Sequence, residues 1–248
     1  MTHTERWLHC VYTSPKSRFR IICFPHAGGT ASFFRSWGPQ IQDCQFYSVR
    51  YPGRAERIDE LQSTSLLQLA LDIALAIKSL SCLPIMFFGH SMGAAVALET
   101  IRVLEKENVK VKHLFASGSR NGSLPVKGPI NVESDDDICE RLIKMGGTDA
   151  DLADDPIFRE LILPPVRADG EIFHAYNMKL EPSLKCSVTT IYGHIDADVD
   201  VRPWKKIAPA GFTEIVVPGD HFYLINNPPF NIIQEYSNEM IYEEDISL

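Results

Sequence analysis

The chain has 248 residues, 45% of them hydrophobic and 23% charged, with 15 Gly and 16 Pro. That length and balance allow a substantial core without metal or disulfide support, exclude global disorder and a small disulfide scaffold, and suit one large domain. Lys plus Arg number 24 against 32 Asp plus Glu, and no long basic stripe offers itself to nucleic acid.

The acidic excess is local. Residues 133–155 carry a net −7 and residues 228–248 a net −5, and the second run ends in Glu243-Glu244-Asp245, which reads as a solvated end. The N-terminal MTHTERWLHC lacks the apolar core of a secretory signal, and no run approaches a membrane span. Six cysteines at 10, 23, 44, 82, 139 and 186 include no CxxC pair. Free thiols in a reducing cytoplasm are expected.

In chain order, Trp7–Tyr12 is a short strand candidate and Arg18–Phe24 a stronger one, ending at Pro25. Cys44–Val49 follows. Ser63 or Thr64 caps a helix whose apolar face is Leu66, Leu69, Ile73, Ile77 and Leu80. Strand Pro84–Phe88 leads into helix Gly93–Lys106, with Ala94, Ala97, Leu98, Ile101 and Leu104 at buried spacing. Strands Lys112–Ala116, Ser187–Tyr192 and Phe212–Val217 come next, and Phe230–Ile241 is a last helix. Near-continuous apolar strands alternating with helices predict an α/β fold: a mostly parallel sheet with helices on both faces.

Residues 118–187 break that rhythm. Turn-rich NGSLPVKGP precedes an S-x-x-D helix entry at Ser134 and Asp137, with Ile138, Leu142, Ile143 and Met145 on its apolar side. A second helix over Pro156–Leu163 is expected to stop at Pro164-Pro165, and a third to run over Ala168–Leu180. The segment reads as a helical insertion over the sheet.

Chemistry is carried by Gly89-His90-Ser91-Met92-Gly93, a G-x-S-x-G between a strand and a helix. Such a serine sits on a sharp turn with its hydroxyl presented at the strand's end, making Ser91 the candidate nucleophile. A serine needs a base, and this arrangement delivers acid and base in loops after later strands. His221, just past strand Phe212–Val217, is the candidate base; His194 comes too early. Asp196 is the preferred acid, with Asp198 and Asp200 left open. The oxyanion donors are assigned to the Met92 and Ala27 amides, with His26 as the alternative to Ala27, in the loop Pro25-His26-Ala27-Gly28-Gly29. Tyr51-Pro52-Gly53-Arg54 is a tight turn whose arginine is expected to brace the site. There is no nucleotide fingerprint, Walker lysine or H-E-x-x-H, so neither cofactor nor metal is expected.

PHAGG at 25–29, YPGR at 51–54 with Arg57 after it, GHSMG at 89–93, the G-x-x-D turn at 193–196 and GDHF at 219–222 resemble the type II thioesterases that accompany nonribosomal peptide and polyketide synthetases. Gly146-Gly147-Thr148 and the Arg167-Ala168-Asp169 run leading to Tyr176 are further echoes. The resemblance implies a single α/β-hydrolase domain over 1–248, with a helical lid at about 120–185. It implies the triad Ser91, Asp196 and His221, and hydrolysis of acyl groups from the phosphopantetheine thiols of acyl- or peptidyl-carrier domains in the cytoplasm. A monomer is the expected state. Arg159, Arg167, Lys179 and Lys185, or an apolar lid face, are the candidates for carrier docking. The rival readings are a medium-chain fatty acyl thioesterase, a small-molecule carboxylesterase, and a non-catalytic binding module.

Overall fold

A computed structural model describes residues 1–80, 83–119, 134–196, 199 and 201–246. Its strands are β1 (Leu8–Thr13), β2 (Phe19–Phe24), β3 (Cys44–Val49), β4 (Ile85–His90), β5 (Val111–Ser117), β6 (Ser187–Gly193) and β7 (Phe212–Val217). They form one sheet in the order β1-β3-β2-β4-β5-β6-β7. Only β1 runs antiparallel, against β3; every other neighbouring pair is parallel. The central strands alternate faces residue by residue, and both faces are buried. Ile22, Phe24, Phe87, Leu114 and Ala116 point to one side, and Ile21, Cys23, Met86, Phe88 and Phe115 to the other.

On the first face lie α1 (His3–Trp7), α2 (Leu66–Lys78), α3 (Met92–Lys106) and α7 (Arg202–Ile207), with Leu69, Ile73, Leu98, Ile101 and Trp204 in that core. On the second lie α8 (Phe230–Ile246) and the segment of Phe34, Trp37 and Ile41. Sheet order, one antiparallel edge and helices on both faces make this an α/β-hydrolase fold. No helix among the described residues is long and apolar enough to cross a membrane.

Local capping differs from expectation at α2. Ser65, not Ser63 or Thr64, caps α2, accepting from the Gln68 amide at 3.3 Å. A capping box of Thr2 and Glu5 starts α1 just before β1. The acidic tail is exposed at Glu243 and Asp245 and helical, since α8 runs on through Glu243-Glu244-Asp245. Glu244 pairs with Lys112 at 2.7 Å, and Asp245 pairs with Arg18. Such exposed pairs contribute roughly 0–1 kcal/mol.

Between β5 and β6 the chain forms α4 (Asp135–Lys144), α5 (Ala150–Ala153) and α6 (Pro156–Ala175). The capping box at Ser134 and Asp137 is present. Ile138, Cys139, Leu142, Ala153, Leu163 and Val166 form a separate small core. The segment NGSLPVKGP lies outside the described residues.

Pro164-Pro165 does not break the helix, contrary to the sequence expectation of two pieces. α6 runs through both prolines for 20 residues and ends at Ala175, so Tyr176–Leu180 is not helical. Burial of Leu163, Val166, Asp169 and Ile172, on one stripe across the proline pair, holds the axis despite the lost backbone bonds. Pro164 itself is exposed. Pro164→Ala is therefore expected to raise stability by about 1–2 kcal/mol, the regained helical bond outweighing the looser unfolded chain. Urea denaturation checks this; an unchanged or lower midpoint would show that the ring itself packs usefully.

Candidate active site

Ser91 stands between β4 and α3 at φ 55°, ψ −121°, a backbone pose that costs a non-glycine residue about 1–3 kcal/mol. The turn is held from both sides. The Ser91 amide donates to the Ser117 carbonyl at the end of β5 at 2.8 Å, and its own carbonyl accepts from Ala94 at 3.0 Å. Met92 opens α3, so its N–H has no partner within the helix.

Two tight approaches place the other loops. A Cβ on Gly93 would lie 2.1 Å from the Phe24 carbonyl oxygen and 2.6 Å from that of Pro25, so the start of α3 rests on the backbone leading to His26 and Ala27. A Cβ on Gly193 would lie 2.2 Å from the Asp220 carbonyl oxygen, so the β6 and β7 exits run in close contact. His221 Nδ1 then meets Asp196 Oδ2 at 2.7 Å, with both side chains buried. The contact fixes Nδ1 as the protonated nitrogen and leaves Nε2 as the acceptor. Nε2 is buried and has no hydrogen-bond partner. Asp198 and Asp200 lie outside the described residues. His194 is exposed and instead accepts from the Gly219 amide at 3.0 Å, tying the two exits together.

His26 and His90 close around the same space. His90 stacks 4.9 Å from His221 and bonds Ser117 Oγ at 2.9 Å, which in turn bonds the Tyr223 hydroxyl at 2.8 Å. His26 lies edge-on to Phe33 and Phe222 at 4.8 and 4.9 Å. Burial, reinforced by His221 and Arg54, pushes His26 down to about 3. Burial likewise holds His90 well below the ordinary histidine range, with His221 and His26 adding to it. Both rings are neutral at pH 7, so neither competes with His221 for the Asp196 charge. The Ser117–Tyr223 link was not legible in the sequence: neither residue belongs to a motif, and they lie 106 positions apart.

Another buried histidine, His113, lies at the start of β5, away from His90 and His221. It bonds Ser187 Oγ at 2.7 Å and Thr189 Oγ1 at 3.0 Å, and burial pushes it down to about 3. An unfolded histidine titrates near 6.5. Between that value and about 3 the unfolded chain holds a proton that the folded chain does not. The stability contributed is thus complete above about pH 6.5 and lost as pH falls toward 3. His113→Gln is expected to flatten the fall in stability between pH 6.5 and 5 by about 1 kcal/mol per pH unit. Parallel stability curves for the two proteins would refute it.

Arg54 lies beneath the 25–29 loop. Its Nη1 and Nη2 meet Asp169 of α6 at 2.5 and 2.7 Å, and its guanidinium lies 5.3 Å from the Tyr51 ring centre. Tyr51 donates to the Pro25 carbonyl at 3.2 Å. On the insertion side, Gly146 abuts Asp220 and Gly147 abuts Phe222, so the end of α4 covers the His221 loop. Of the docking candidates, Arg159 pairs with Asp136 at 2.7 Å and Arg167 with Asp135 at 2.5 Å. No cluster of three or more potential metal ligands occurs among the described residues.

Residues 19–239 match the family model described as thioesterase domain. The medium-chain S-acyl fatty acid synthase thioesterase of Rattus norvegicus is 32% identical over 246 residues, covering 94% of this chain and 91% of that protein. The gramicidin S biosynthesis protein GrsT of Aneurinibacillus migulanus is 30% identical, covering 90% of each. Among solved structures, the type II thioesterase BorB from the borrelidin biosynthetic cluster superposes with a TM-score of 0.83 at 28% identity, covering 95% of this chain and 99% of that one. With an elbow serine, a buried His–Asp pair and a match across nearly its whole length, the chain belongs to the thioesterase domain family, as a type II thioesterase of the α/β-hydrolase superfamily.

Proposed function

We propose that this protein hydrolyses acyl groups from the phosphopantetheine thiols of carrier domains, clearing stalled or wrongly primed units from a nonribosomal peptide or polyketide synthetase. It acts as a cytoplasmic monomer with no bound cofactor. The observation that carries the reading is His221, oriented by Asp196 and with Nε2 unengaged, its ring 4.9 Å from that of His90, the residue before a serine held on a strained elbow. The similarity to GrsT and BorB supports the carrier-bound substrate.

The mechanism has two steps. Ser91 Oγ attacks the thioester carbonyl while His221 Nε2 takes its proton, and Asp196 stabilises the imidazolium that forms. Charge that develops on the carbonyl oxygen is met by the Met92 and Ala27 amides. The C–S bond breaks, the thiol leaves with the proton from His221, and an acyl-serine remains. Water, deprotonated by the same nitrogen, then attacks the ester. Collapse returns the proton to Ser91 and releases the acid. His26, Gly28 and Gly29 support the loop that carries Ala27, and the 120–185 insertion acts as the lid.

A second reading, hydrolysis of medium-chain fatty acyl thioesters, is favoured by the match to the rat enzyme. Intact-mass spectrometry of carrier protein loaded with acetyl, aminoacyl or decanoyl groups separates the two. Preferential loss of short or aminoacyl masses supports carrier clearing. Preferential loss of decanoyl supports the fatty acyl reading. Cleavage only of oxygen esters would overturn both.

A further inference from the structure

We propose that Asp169 is a positioning residue for the oxyanion loop, so that the insertion helix α6, through one buried carboxylate, sets the backbone that carries the Ala27 amide. The inference rests on the assignment of Ala27 as an oxyanion donor.

Asp169 is 2% exposed. Its Oδ2 accepts from the Gly28 amide at 2.8 Å and from Arg54 Nη1 at 2.5 Å, and its Oδ1 accepts from Arg54 Nη2 at 2.7 Å. A buried carboxylate is costly unless its charge is balanced, and the forked guanidinium balances it. A purely structural ion pair would need nothing more. Here the carboxylate also takes a backbone N–H from the loop next to the nucleophile.

The peptide geometry shows what that bond controls. The Gly29 amide donates to the His26 carbonyl at 2.9 Å. In a trans peptide the carbonyl and N–H of one unit point in opposite directions, so this bond turns the Ala27 N–H out of the turn. The next unit carries the Gly28 N–H, whose acceptor is Asp169. Of the two peptides that flank Ala27, the loop's own turn fixes the first and the insertion helix fixes the second. The helix also lies directly on that peptide. Gly28 has φ 75°, and a Cβ there would fall 2.2 Å from Val166 Cγ2, one turn before Asp169. If the helix lifts, Gly28 loses its acceptor, the Ala27 ψ angle is freed, and the Gly29-to-His26 turn bond that aims the Ala27 N–H opens with it. The catalytic loop is then set only while the insertion is seated.

Asp169→Asn tests this in the full chain. An amide keeps one acceptor oxygen but turns N–H groups toward Arg54, so either Gly28 or Arg54 loses its partner. Expected are a fall in kcat of about 10- to 100-fold on an acyl-pantetheine thioester and a KM within about threefold. Affinity for an alkyl trifluoromethyl ketone, which forms the tetrahedral adduct, should weaken in step with kcat. A second variant, Arg54→Met with Asp169→Leu, removes both charges. It should recover thermal stability relative to Asp169→Asn and still turn over slowly, because Gly28 keeps no acceptor. Unmodified kcat in either folded variant, or a loss confined to KM with ketone affinity intact, would overturn the proposal.

Amide exchange in ¹⁵N-glycine-labelled unmodified protein needs no variant to fold. A downfield, slowly exchanging Gly28 amide is expected, and a rapidly exchanging one would refute the contact. Failure of the unmodified protein to cleave any thioester would instead defeat the functional reading and leave the Gly28 result standing.

Discussion

Ser91→Ala is expected to lower kcat on an acyl-carrier thioester by roughly 10⁶-fold, the loss seen when a serine hydrolase loses its nucleophile. Stability should change little, within about 1 kcal/mol, because alanine meets the same positive φ as serine and the Ser91 side chain makes no capping bond. Asp196→Asn should cost about 10⁴-fold in kcat by favouring the wrong imidazole tautomer. Asp198→Asn should stay within about threefold of the unmodified enzyme, since Asp196 already engages Nδ1 at 2.7 Å. Stopped-flow detection of released thiol measures all three. A Ser91→Ala enzyme that still releases thiol at a hundredth of the native rate would rule out acyl-serine chemistry. Equal losses at Asp196 and Asp198 would mean that the acid is not the one the hydrogen bond indicates.

Most of this site could be read from local sequence because it is built at strand ends. Strands buried on both faces announce themselves as apolar runs, and β3 and β7 have the expected bounds. Once the strands are located, the candidates Ser91, Asp196 and His221 fall just beyond β4, β6 and β7. What could not be read depends on contacts distant in sequence. Pro164-Pro165 is a local stop signal, and burial of residues on either side overrides it. The pairing of Arg159 with Asp136 and of Arg167 with Asp135 joins α6 to α4 across more than 20 residues and has no local signal. Asp169 stood in a recognisable run, yet nothing local shows that its carboxylate reaches Gly28, 141 residues earlier. The candidate catalytic residues lie in short motifs; the contacts that support them depend on packing.

Gly93→Ala sets two local effects of opposite sign against each other. Gly93 lies inside α3, away from the positive-φ positions, and helix propensity alone would make alanine more stable by about 1 kcal/mol. The added methyl, however, would sit 2.1 Å from the Phe24 carbonyl oxygen and 2.6 Å from that of Pro25. Those are backbone atoms at the end of β2, a central strand with no side chain to swing aside. Sterics should win, with a loss of about 3 kcal/mol or more in urea denaturation. Relief can come only by parting α3 from the 24–27 backbone, which separates the Met92 amide from the Ala27 amide. The protein that survives should therefore also lose about 10²-fold in kcat, on the scale of one oxyanion donor. Gly89 obeys the same rule from the strand side, where a methyl would lie 2.5 Å from the Gly93 carbonyl oxygen. The two glycines of G-x-S-x-G are thus needed for close approach, one to the helix and one to the backbone of Phe24 and Pro25. A Gly93→Ala protein that is more stable by the propensity increment, with kcat unchanged, would show that the loop and helix are not in the contact on which this account depends.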